Sequence, residues 1–412
     1  MDETASRMMD KYSLHDDLHR YGQSVNTPRM VFVQDALPFF GGAERLLSQA
    51  LKIFPGTPVY TLVHNRRNFI GTAFEATDIH TSFINRLPGA QRNHRIYLPL
   101  YPLAVDRLDL SPFDLILSFS YAAAHGILSG PSQIHIAYYY TPLRQAYNPY
   151  QRIPDGSGFR NMAVKYMLQK FQNWDLAASG RPDHRLAISS WVADLVWRAY
   201  QRPAQVIYPP VEVERFYASP QREGYYICVS RLEPHKRLDI LIQAFNRLGL
   251  PLIIVGDGSQ RAQLQRMANA NIRFLLRQTD EDVARLLSKA RAFVHAAAED
   301  FGIALVEAQA AGCPVIAFRG GGASEIVIQD FNGCLYAQQD AESLMEAVLA
   351  FESHPNRFSA KDLRDWAQRF SAERFRLEFA AYLQAAWNGH SFLTNNYEPI
   401  TDLFHPALIQ HG

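Results

Sequence analysis

The sequence is poor in cysteine, has no excess of one charge and contains no long apolar run. Its 412 residues include three cysteines, which stand far apart in strand-like apolar runs: Cys228, Cys313 and Cys334. An odd, scattered set argues against a disulfide framework or a thiolate metal site and fits a reducing cytoplasm. Lys and Arg number 41 against 40 Asp and Glu, so the formal net charge is +1 and nothing global indicates nucleic-acid binding.

Long hydrophobic stretches are also missing. No run of about 18 uncharged apolar residues occurs, which is the length a membrane-spanning helix needs. Residues 1–28 are polar and lack the apolar core of a signal peptide. We therefore expect a cytoplasmic protein that is neither secreted nor membrane-spanning, with residues 1–28 as a polar tail.

Short apolar runs alternate with helical patterns, which predicts an α/β protein with parallel sheets. The first series contains MVFV, DLILSFS, QIHIAYYY and RLAIS, and the second, after two consecutive prolines, contains YYICVS, PLIIVGDG, AFVHAAA and PVIAF. Because one core stops growing at about 250 to 300 residues, two domains are expected. We predict Rossmann-like domains over 29–202 and 203–370 that face each other across a cleft. Residues 371–412 would form a C-terminal helix, able to cross back to the first domain, and a tail.

Two acids, Glu299 and Glu307, flank a Phe-Gly turn between an apolar strand and a helix. The pattern places Glu299 after the strand end and Glu307 in the first helical turn. The N–H groups of Phe301, Gly302 and Ile303 would lie at the helix N-terminus, where unsatisfied donors and the macrodipole favour phosphate. One carboxylate could then face a sugar and the other a ribose. A solvated loop acid beside an ordinary first-turn acid is the alternative interpretation of this motif taken alone.

Two basic residues, Arg231 and Lys236, lie on the loop that leaves strand YYICVS and precedes a helix. The helix macrodipole disfavours cations at this end, so an anionic ligand explains them better than helix stability does. The loop therefore predicts a clamp for a diphosphate, with a solvated basic loop as the alternative.

Glycine-rich loops follow several of the predicted strands. Gly41 and Gly42 open a helix, where they would let a backbone approach a ligand and supply N–H donors, with Glu44 as a first-turn acid. Gly256 lies in a tight loop that could run under a nucleotide, although a purely structural turn is the alternative. Gly320 to Gly322 form a further close-approach loop. Neither of these two later runs supplies the complete dinucleotide fingerprint, so NAD binding is disfavoured.

A metal site is not expected. Asp280 and Asp282 have the spacing of metal ligands, but they begin a helical pattern directly after Thr279, so helix capping accounts for them better. No other cluster of acids and histidines has ligand spacing. We therefore expect no metal and no other cofactor. The charge of a departing diphosphate would fall to Arg231, Lys236 and the helix N–H groups.

Over about residues 30 to 388 the chain resembles the retaining glycosyltransferases of family 4, which have the GT-B fold. The resemblance rests on the acid pair Glu299 and Glu307, on Ser230-Arg231-Leu232 with Lys236, and on Gly41 and Gly42. It implies that Glu299 and the N–H groups that follow it hold the donor sugar, that Glu307 binds the ribose, and that the two basic residues stabilise the leaving diphosphate. It also implies front-face attack, in which a departing phosphate oxygen takes the proton of the acceptor hydroxyl.

Within that family the chain looks most like mannosyltransferase-type members, through the run from Tyr138 to Arg144. The resemblance places Tyr121, Tyr140, Thr141 and Arg144 on the acceptor side. Tyr140 stands where such relatives usually have His. In the pair Ser120-Tyr121, Tyr121 stands where such relatives often have His. Because a phenol donates a hydrogen bond but is a poor base near pH 7, we expect an acceptor site that differs from those of its relatives.

The segment from Thr141 to Arg202 is basic, with nine Lys and Arg against four acids, and aromatic residues are interleaved. Such a surface could rest on anionic lipid or hold a lipid-diphosphate acceptor, whereas a solvated face over core aromatics is the alternative. Three histidines, His125, His135 and His295, are interpreted as core residues.

We therefore expect a retaining, metal-independent hexosyltransferase that acts on a saccharide acceptor. We favour a lipid-linked saccharide as the acceptor and GDP-mannose as the donor. Three alternatives stay open: a sugar-nucleotide epimerase, a phosphorylase-like enzyme with a pyridoxal-phosphate lysine, and a non-catalytic sugar-nucleotide sensor. The expected location is the cytoplasm, with peripheral contact at the inner face of an anionic membrane. Nucleic acid is not an expected partner.

Overall fold

The computed structural model describes residues 28–143, 159–354 and 357–395. The described strands are β1 Met30–Gln34, β2 Val59–Thr61, β3 Ile79–Thr81, β4 Leu115–Ser120, β5 Ile134–Tyr139, β6 His184–Ala187, β7 Gln205–Val206, β8 Tyr226–Val229, β9 Leu252–Val255, β10 Ile272–Leu275, β11 Ala292–His295, β12 Val315–Phe318 and β13 Gly333–Tyr336. The described α-helices are α1 Gly42–Ile53, α2 Tyr101–Asp106, α3 Phe159–Ala178, α4 Ser190–Tyr200, α5 Leu238–Leu248, α6 Arg261–Met267, α7 Asp280–Lys289, α8 Ile303–Ala310, α9 Ala323–Ile326, α10 Ala341–Ser353, α11 Ala360–Ala367 and α12 Ala372–Asn395.

Two parallel sheets organise these elements, one in each half of the chain. Among the described residues, the first sheet has the order β3-β2-β1-β4-β5-β6-β7 and the second has the order β10-β9-β8-β11-β12-β13. The inner strands of both sheets are buried and appear as continuous apolar runs in the sequence, whereas the edge strands β3, β7 and β10 are partly exposed. The prediction of an α/β protein built from two Rossmann-like sheets is confirmed.

The strand order reverses direction at one place in each sheet. In the first sheet the reversal lies between β1 and β4, and in the second between β8 and β11. Ligands of open α/β sheets bind outside the carboxyl ends of the strands at such switch points. The loops that follow these four strands are therefore the natural place for a site.

The boundary between the domains differs from the predicted one at 202/203. Residues Gln205–Val206 form the edge strand β7 and pair with β6, so the first sheet extends past residue 202. A two-residue strand carries no alternation of apolar and polar residues, which is why no pattern in the sequence indicated it. The first domain thus ends after Val206.

The C-terminal helix α12 returns to the first domain. Its Phe375 and Phe379 stack on each other, with ring centroids 5.0 Å apart, and Phe379 also contacts Phe119 and Tyr138 of the first sheet. The Nη1 of Arg376 donates a hydrogen bond of 2.9 Å to the Gln49 side chain of α1. The helix therefore ties the end of the chain to the first domain. The predicted terminal tails lie outside the described residues.

Candidate active site in the cleft between the domains

The four loops at the two switch points carry most of the residues that the sequence singled out. Gly41 and Gly42 follow β1, Tyr121 follows β4, Arg231 and Lys236 follow β8, and Glu299 follows β11. A Cβ on Gly42 would lie 3.2 Å from the Cδ1 of Ile303, so the glycine loop of the first domain packs on the start of α8 in the second. The tertiary fold thus brings both halves of the predicted site together.

An ion pair joins two of the predicted donor residues. The Nζ of Lys236 lies 2.6 Å from Oε1 of Glu299, and the Nε2 of His295 lies 3.5 Å from the same oxygen. Burial raises the pKa of Glu299, but the charges of Lys236, His295 and His235 outweigh it and hold that pKa at about 2. Glu299 is therefore ionised throughout the physiological range, and Lys236 is held at the strand end.

The sequence pattern placed Glu307 in the first helical turn, and this prediction is wrong. Helix α8 begins at Ile303, after Gly302 in the left-handed region with φ of +109°, so Glu307 is its fifth residue. Gly302 adopts a backbone conformation that other residues rarely adopt, and the helix begins directly after it. The carboxylate of Glu307 faces the first domain, where the Nη1 of Arg45 lies 4.0 Å from its Oε1.

Burial dominates the protonation of Glu307. It raises the pKa of Glu307 to about 7, against the lowering effect of Arg45 and Arg215, while Asp280 and Glu212 raise it further. A carboxyl group with a pKa near 7 exchanges its proton easily at physiological pH. The charge of Glu307 therefore depends on the few groups around it.

The N-terminus of α8 faces the same cleft. Among the backbone hydrogen bonds of the described residues, none has the N–H of Phe301, Gly302 or Ile303 as its donor. The ring of Phe301 is buried against Tyr208 and Phe370, which fixes the turn. The helix start therefore has N–H groups that could bind an anion.

A further acid, Glu44, has an environment that the sequence did not indicate. Its Oε2 accepts a hydrogen bond of 2.9 Å from the N–H of Gly41, and the side chain is buried under the loop. Burial raises the pKa of Glu44 to about 7, and the positive charge of Arg231, from the second domain, lowers it. Spacing alone predicted a first-turn acid; the structure shows that it is buried and that the exposed Arg231 of the second domain is close enough to lower its pKa.

The glycine loops of the second domain serve backbone packing. A Cβ on Gly256, whose φ is +144°, would lie 1.9 Å from the carbonyl oxygen of Ser230. In the same way, a Cβ on Gly321 would lie 2.0 Å from the carbonyl oxygen of Glu299. These glycines let one loop lie directly against the loop that carries Arg231 or Glu299, so their space is filled by protein. Of the two interpretations given to Gly256, the structural turn is the one that the geometry supports.

The predicted acceptor-side residues are placed in different ways. Tyr140 is buried, and its hydroxyl donates a hydrogen bond of 2.9 Å to the carbonyl oxygen of Ala43 and lies 3.4 Å from the Oε1 of Gln34. Tyr140 therefore supports the glycine loop through its phenol. Tyr121 is half-buried, Thr141 has a buried hydroxyl without a hydrogen-bond partner among the described residues, and Arg144 lies outside the described residues.

The remaining candidate groups are structural. His125 and His135 are buried in the first domain, with ring nitrogens bonded to Ser120 and Ser118. The side chain of Thr279 accepts a hydrogen bond from the N–H of Asp282, as capping predicts. Within the described part of the chain, no group of three or more His, Cys, Asp or Glu could hold a metal ion. In the same part, no helix has both the length and the apolar character to cross a membrane.

Comparison with known proteins adds to this geometry. Residues 212–369 match the family model "Glycosyl transferases group 1". An uncharacterized glycosyltransferase of Methanocaldococcus jannaschii is 28% identical over 207 residues, which cover 48% of this chain and 58% of the relative. A GDP-mannose-dependent phosphatidylinositol monomannoside mannosyltransferase of Mycolicibacterium smegmatis is 31% identical over 191 residues, which cover 39% of this chain and 50% of the relative. The chain thus spans about half the length of these curated relatives.

Solved structures match over most of the chain at low identity. Sucrose-phosphate synthase from Thermosynechococcus elongatus superposes with a TM-score of 0.70 at 17% identity, covering 87% of this chain and 99% of that one. Anabaena HepE in complex with UDP-glucose superposes with a TM-score of 0.65 at 19% identity, covering 86% and 99%. Likeness at this identity shows the fold. The chain therefore has the GT-B fold, and residues 212–369 match the model of the glycosyl transferases of group 1, which confirms the resemblance to family 4.

Proposed function

We propose that this protein is a retaining hexosyltransferase that transfers the sugar of a nucleoside-diphosphate sugar to a hydroxyl of a saccharide acceptor in polysaccharide biosynthesis. The observation that carries the proposal is the arrangement around Glu299. The Lys236–Glu299 pair, the free N–H groups of α8 and the exposed Arg231 all lie at the switch point of the second sheet, opposite the glycine loop of the first.

The chemistry follows from these charges. The diphosphate of the donor would accept hydrogen bonds from Arg231, Lys236 and the N–H groups at the start of α8, which together neutralise the charge that develops as the sugar leaves. The acceptor hydroxyl would bond to the anomeric carbon while the bond from that carbon to the phosphate oxygen breaks. Its proton would pass to that phosphate oxygen. Glu299, ionised beside Lys236, would accept hydrogen bonds from sugar hydroxyls, and Glu307 from the ribose.

Mannose from GDP-mannose is the donor that we propose first. Two curated relatives, including the one from Mycolicibacterium smegmatis, are described as GDP-mannose-dependent mannosyltransferases. The structures of HepE instead contain UDP or UDP-glucose, so uridine donors are the direct competitor. We propose that transfer needs no metal, because cationic side chains and helix N–H groups already surround the diphosphate position.

The test is thermal stabilisation of the purified protein by GDP-, UDP-, ADP- and dTDP-sugars, since a bound ligand raises apparent stability by mass action. Lys236→Met should lose the shift, whereas Lys289→Met, which removes an exposed ion pair with Glu223, should keep it. Transfer assays with and without EDTA, followed by NMR of the product anomer, test metal independence and retention. Donor conversion without acceptor would indicate an epimerase, and binding without any turnover would indicate a sensor.

We further propose that the acceptor is lipid-linked and that the first domain rests on an anionic membrane at its cytoplasmic side. The 3-10 helix His94–Leu100 contacts α3, and both expose large apolar side chains: Ile96 on the first and Met162, Tyr166 and Met167 on the second. Arg95, Lys165 and Lys170 are exposed on the same two elements. Apolar side chains with a basic rim match an anionic lipid surface. The described cysteines are buried free thiols, consistent with a reducing compartment.

Co-sedimentation with vesicles tests this surface. The protein should bind vesicles that contain phosphatidylglycerol and bind pure phosphatidylcholine much less. Tyr166→Ser with Lys165→Glu should release it, while Leu349→Ser, at a similarly exposed apolar residue of the second domain, should not. Equal binding of the first variant and the wild type would contradict the proposed surface and leave the transfer reaction unaffected.

A further inference from the structure

A network of charged side chains crosses the cleft beside Glu307. The Nη2 of Arg45, in α1 of the first domain, lies 3.2 Å from both carboxylate oxygens of Asp280, at the start of α7 in the second. The other terminal nitrogen of Arg45 lies 4.0 Å from Glu307. One guanidinium thus bridges two acids of the opposite domain.

The same network contains a second arginine and a third acid. The Nη2 of Arg215 lies 2.8 Å from Oδ2 of Asp280, and its Nη1 lies 3.0 Å from Oε2 of Glu212. The charged groups that face Glu307 are therefore two arginines and two other acids, from α1, α7 and the segment that connects the domains. These four balance one another, so an ionised Glu307 leaves the network with one net negative charge.

The position of Arg45 within its own helix has no local explanation. It is the fourth residue of α1, directly after the buried Glu44, and a cation in the first turn is disfavoured by the helix macrodipole. The helix begins in the glycine loop that packs on Ile303, which places the guanidinium opposite Glu307. The acids across the cleft account for its presence.

We propose that Arg45 is a positioning residue of the donor site: from the first domain it holds Glu307 of the second domain in its carboxylate form. The group that accepts hydrogen bonds from the ribose hydroxyls is therefore complete only when the two domains meet. The inference rests on the proposed function, in which Glu307 binds the donor. A carboxylate accepts hydrogen bonds from two hydroxyls at once, whereas a protonated acid keeps one oxygen as a donor. Removing Arg45 therefore weakens donor binding where Glu307 is protonated and leaves it intact where pH alone ionises the acid.

The experiment is calorimetric titration of the stabilising nucleotide sugar into wild type, Arg45→Gln and Arg45→Lys between pH 6 and pH 9. The control is Lys52→Gln, which removes an exposed cation from the other end of the same helix. If the loss of one facing charge raises the pKa of Glu307 by about one unit, affinity falls about tenfold at pH 6, about fivefold at pH 7 and not measurably at pH 9. The ratio of variant to wild type cancels titration of the ligand itself.

The remaining outcomes separate this inference from the proposed function. Arg45→Lys should restore most of the affinity at pH 7, and KM for the donor should change while kcat is retained. A loss of affinity that is the same at every pH would mean that Arg45 contacts the donor directly. No loss of affinity at pH 6 would mean that Arg45 does not act on Glu307. Either result overturns this inference and leaves the proposed function standing. Absence of binding by the wild-type protein would overturn the proposed function and the inference with it.

Discussion

The ion pair of Lys236 with Glu299 offers the sharpest test of the donor site. Lys236→Met keeps the length and apolar stem of the side chain but removes its ammonium. Glu299 would then be a largely enclosed acid without the cation 2.6 Å away that now offsets its burial. Both stability and transfer should fall, and the two effects can be measured separately.

The size of the stability effect follows from the pKa. The pKa of Glu299 is lowered from 4.5 to about 2. Each unit corresponds to about 1.4 kcal/mol, so the shift corresponds to about 3 kcal/mol. The side chain of Glu299 is 24% exposed, so solvent screening reduces this figure to about 2 kcal/mol, most of which we assign to Lys236, the first among the groups that lower the pKa.

The pH dependence has a definite sign. Because the folded-state pKa lies below the unfolded value, the stabilisation is present above about pH 4.5 and is lost as pH falls toward 2. The difference in unfolding free energy between wild type and Lys236→Met should therefore be full at pH 7 and shrink as pH falls from 4.5 toward 2.

A double-mutant cycle with Glu299→Gln, followed by urea unfolding at pH 7, isolates the pair. The exposed pair of Lys289 and Glu223 is the matched control, for which a coupling of about 0.5 kcal/mol is expected. Losing a cation aimed at the developing phosphate charge should also lower kcat by about 10² to 10³. A coupling no larger than that of the control, together with normal transfer by Lys236→Met, would refute the reasoning.

The structure supports three further predictions. Glu325→Ala removes the carboxylate that accepts the first two N–H groups of α4 across the domain interface, so thermal unfolding should show a loss of about 1 kcal/mol; an unchanged midpoint would contradict this. Gly256→Ala drives a Cβ into the Ser230 carbonyl and should lower the free energy of unfolding by about 3 kcal/mol. The control Gly249→Ala, with φ of +70° and open space around it, should lower it by about 1 kcal/mol. Equal losses in urea unfolding would show that packing is not the reason. Tyr140→Phe should cost about 1 kcal/mol through its lost hydrogen bond and change kcat by less than about threefold; a large loss of kcat at normal stability would place the phenol in the reaction.

Much of the architecture could be predicted because parallel strands covered on both faces must be apolar throughout. That requirement produces runs such as LIIV and VIAF in the chain, and turn residues mark their ends. The loops at the carboxyl ends of the strands can therefore be located from the amino-acid sequence. The edge strand β7 was missed because two residues are too few to carry a pattern.

Glu307 was predicted too close to the start of α8 for a related reason. The sequence shows that a glycine precedes the helix but not that its φ is +109°. Because the helix begins directly after this residue, Glu307 lies beyond the first turn, and its carboxylate faces Arg45 of the first domain. Local patterns indicate which residues form a helix better than they indicate where it begins.

Sequence by itself determined the two parallel sheets, the loops that carry Arg231, Lys236 and Glu299, and the absence of a disulfide framework, because these depend on residue types at short spacing. Only the tertiary structure decided the protonation of the acids at the site. The contact of Arg45 with Asp280 joins residues 235 positions apart, and the pKa of Glu44 is set by its burial and by the charge of Arg231 in the other domain. Burial and distant charges set the protonation of an acid, and neither can be read from its neighbours in the chain.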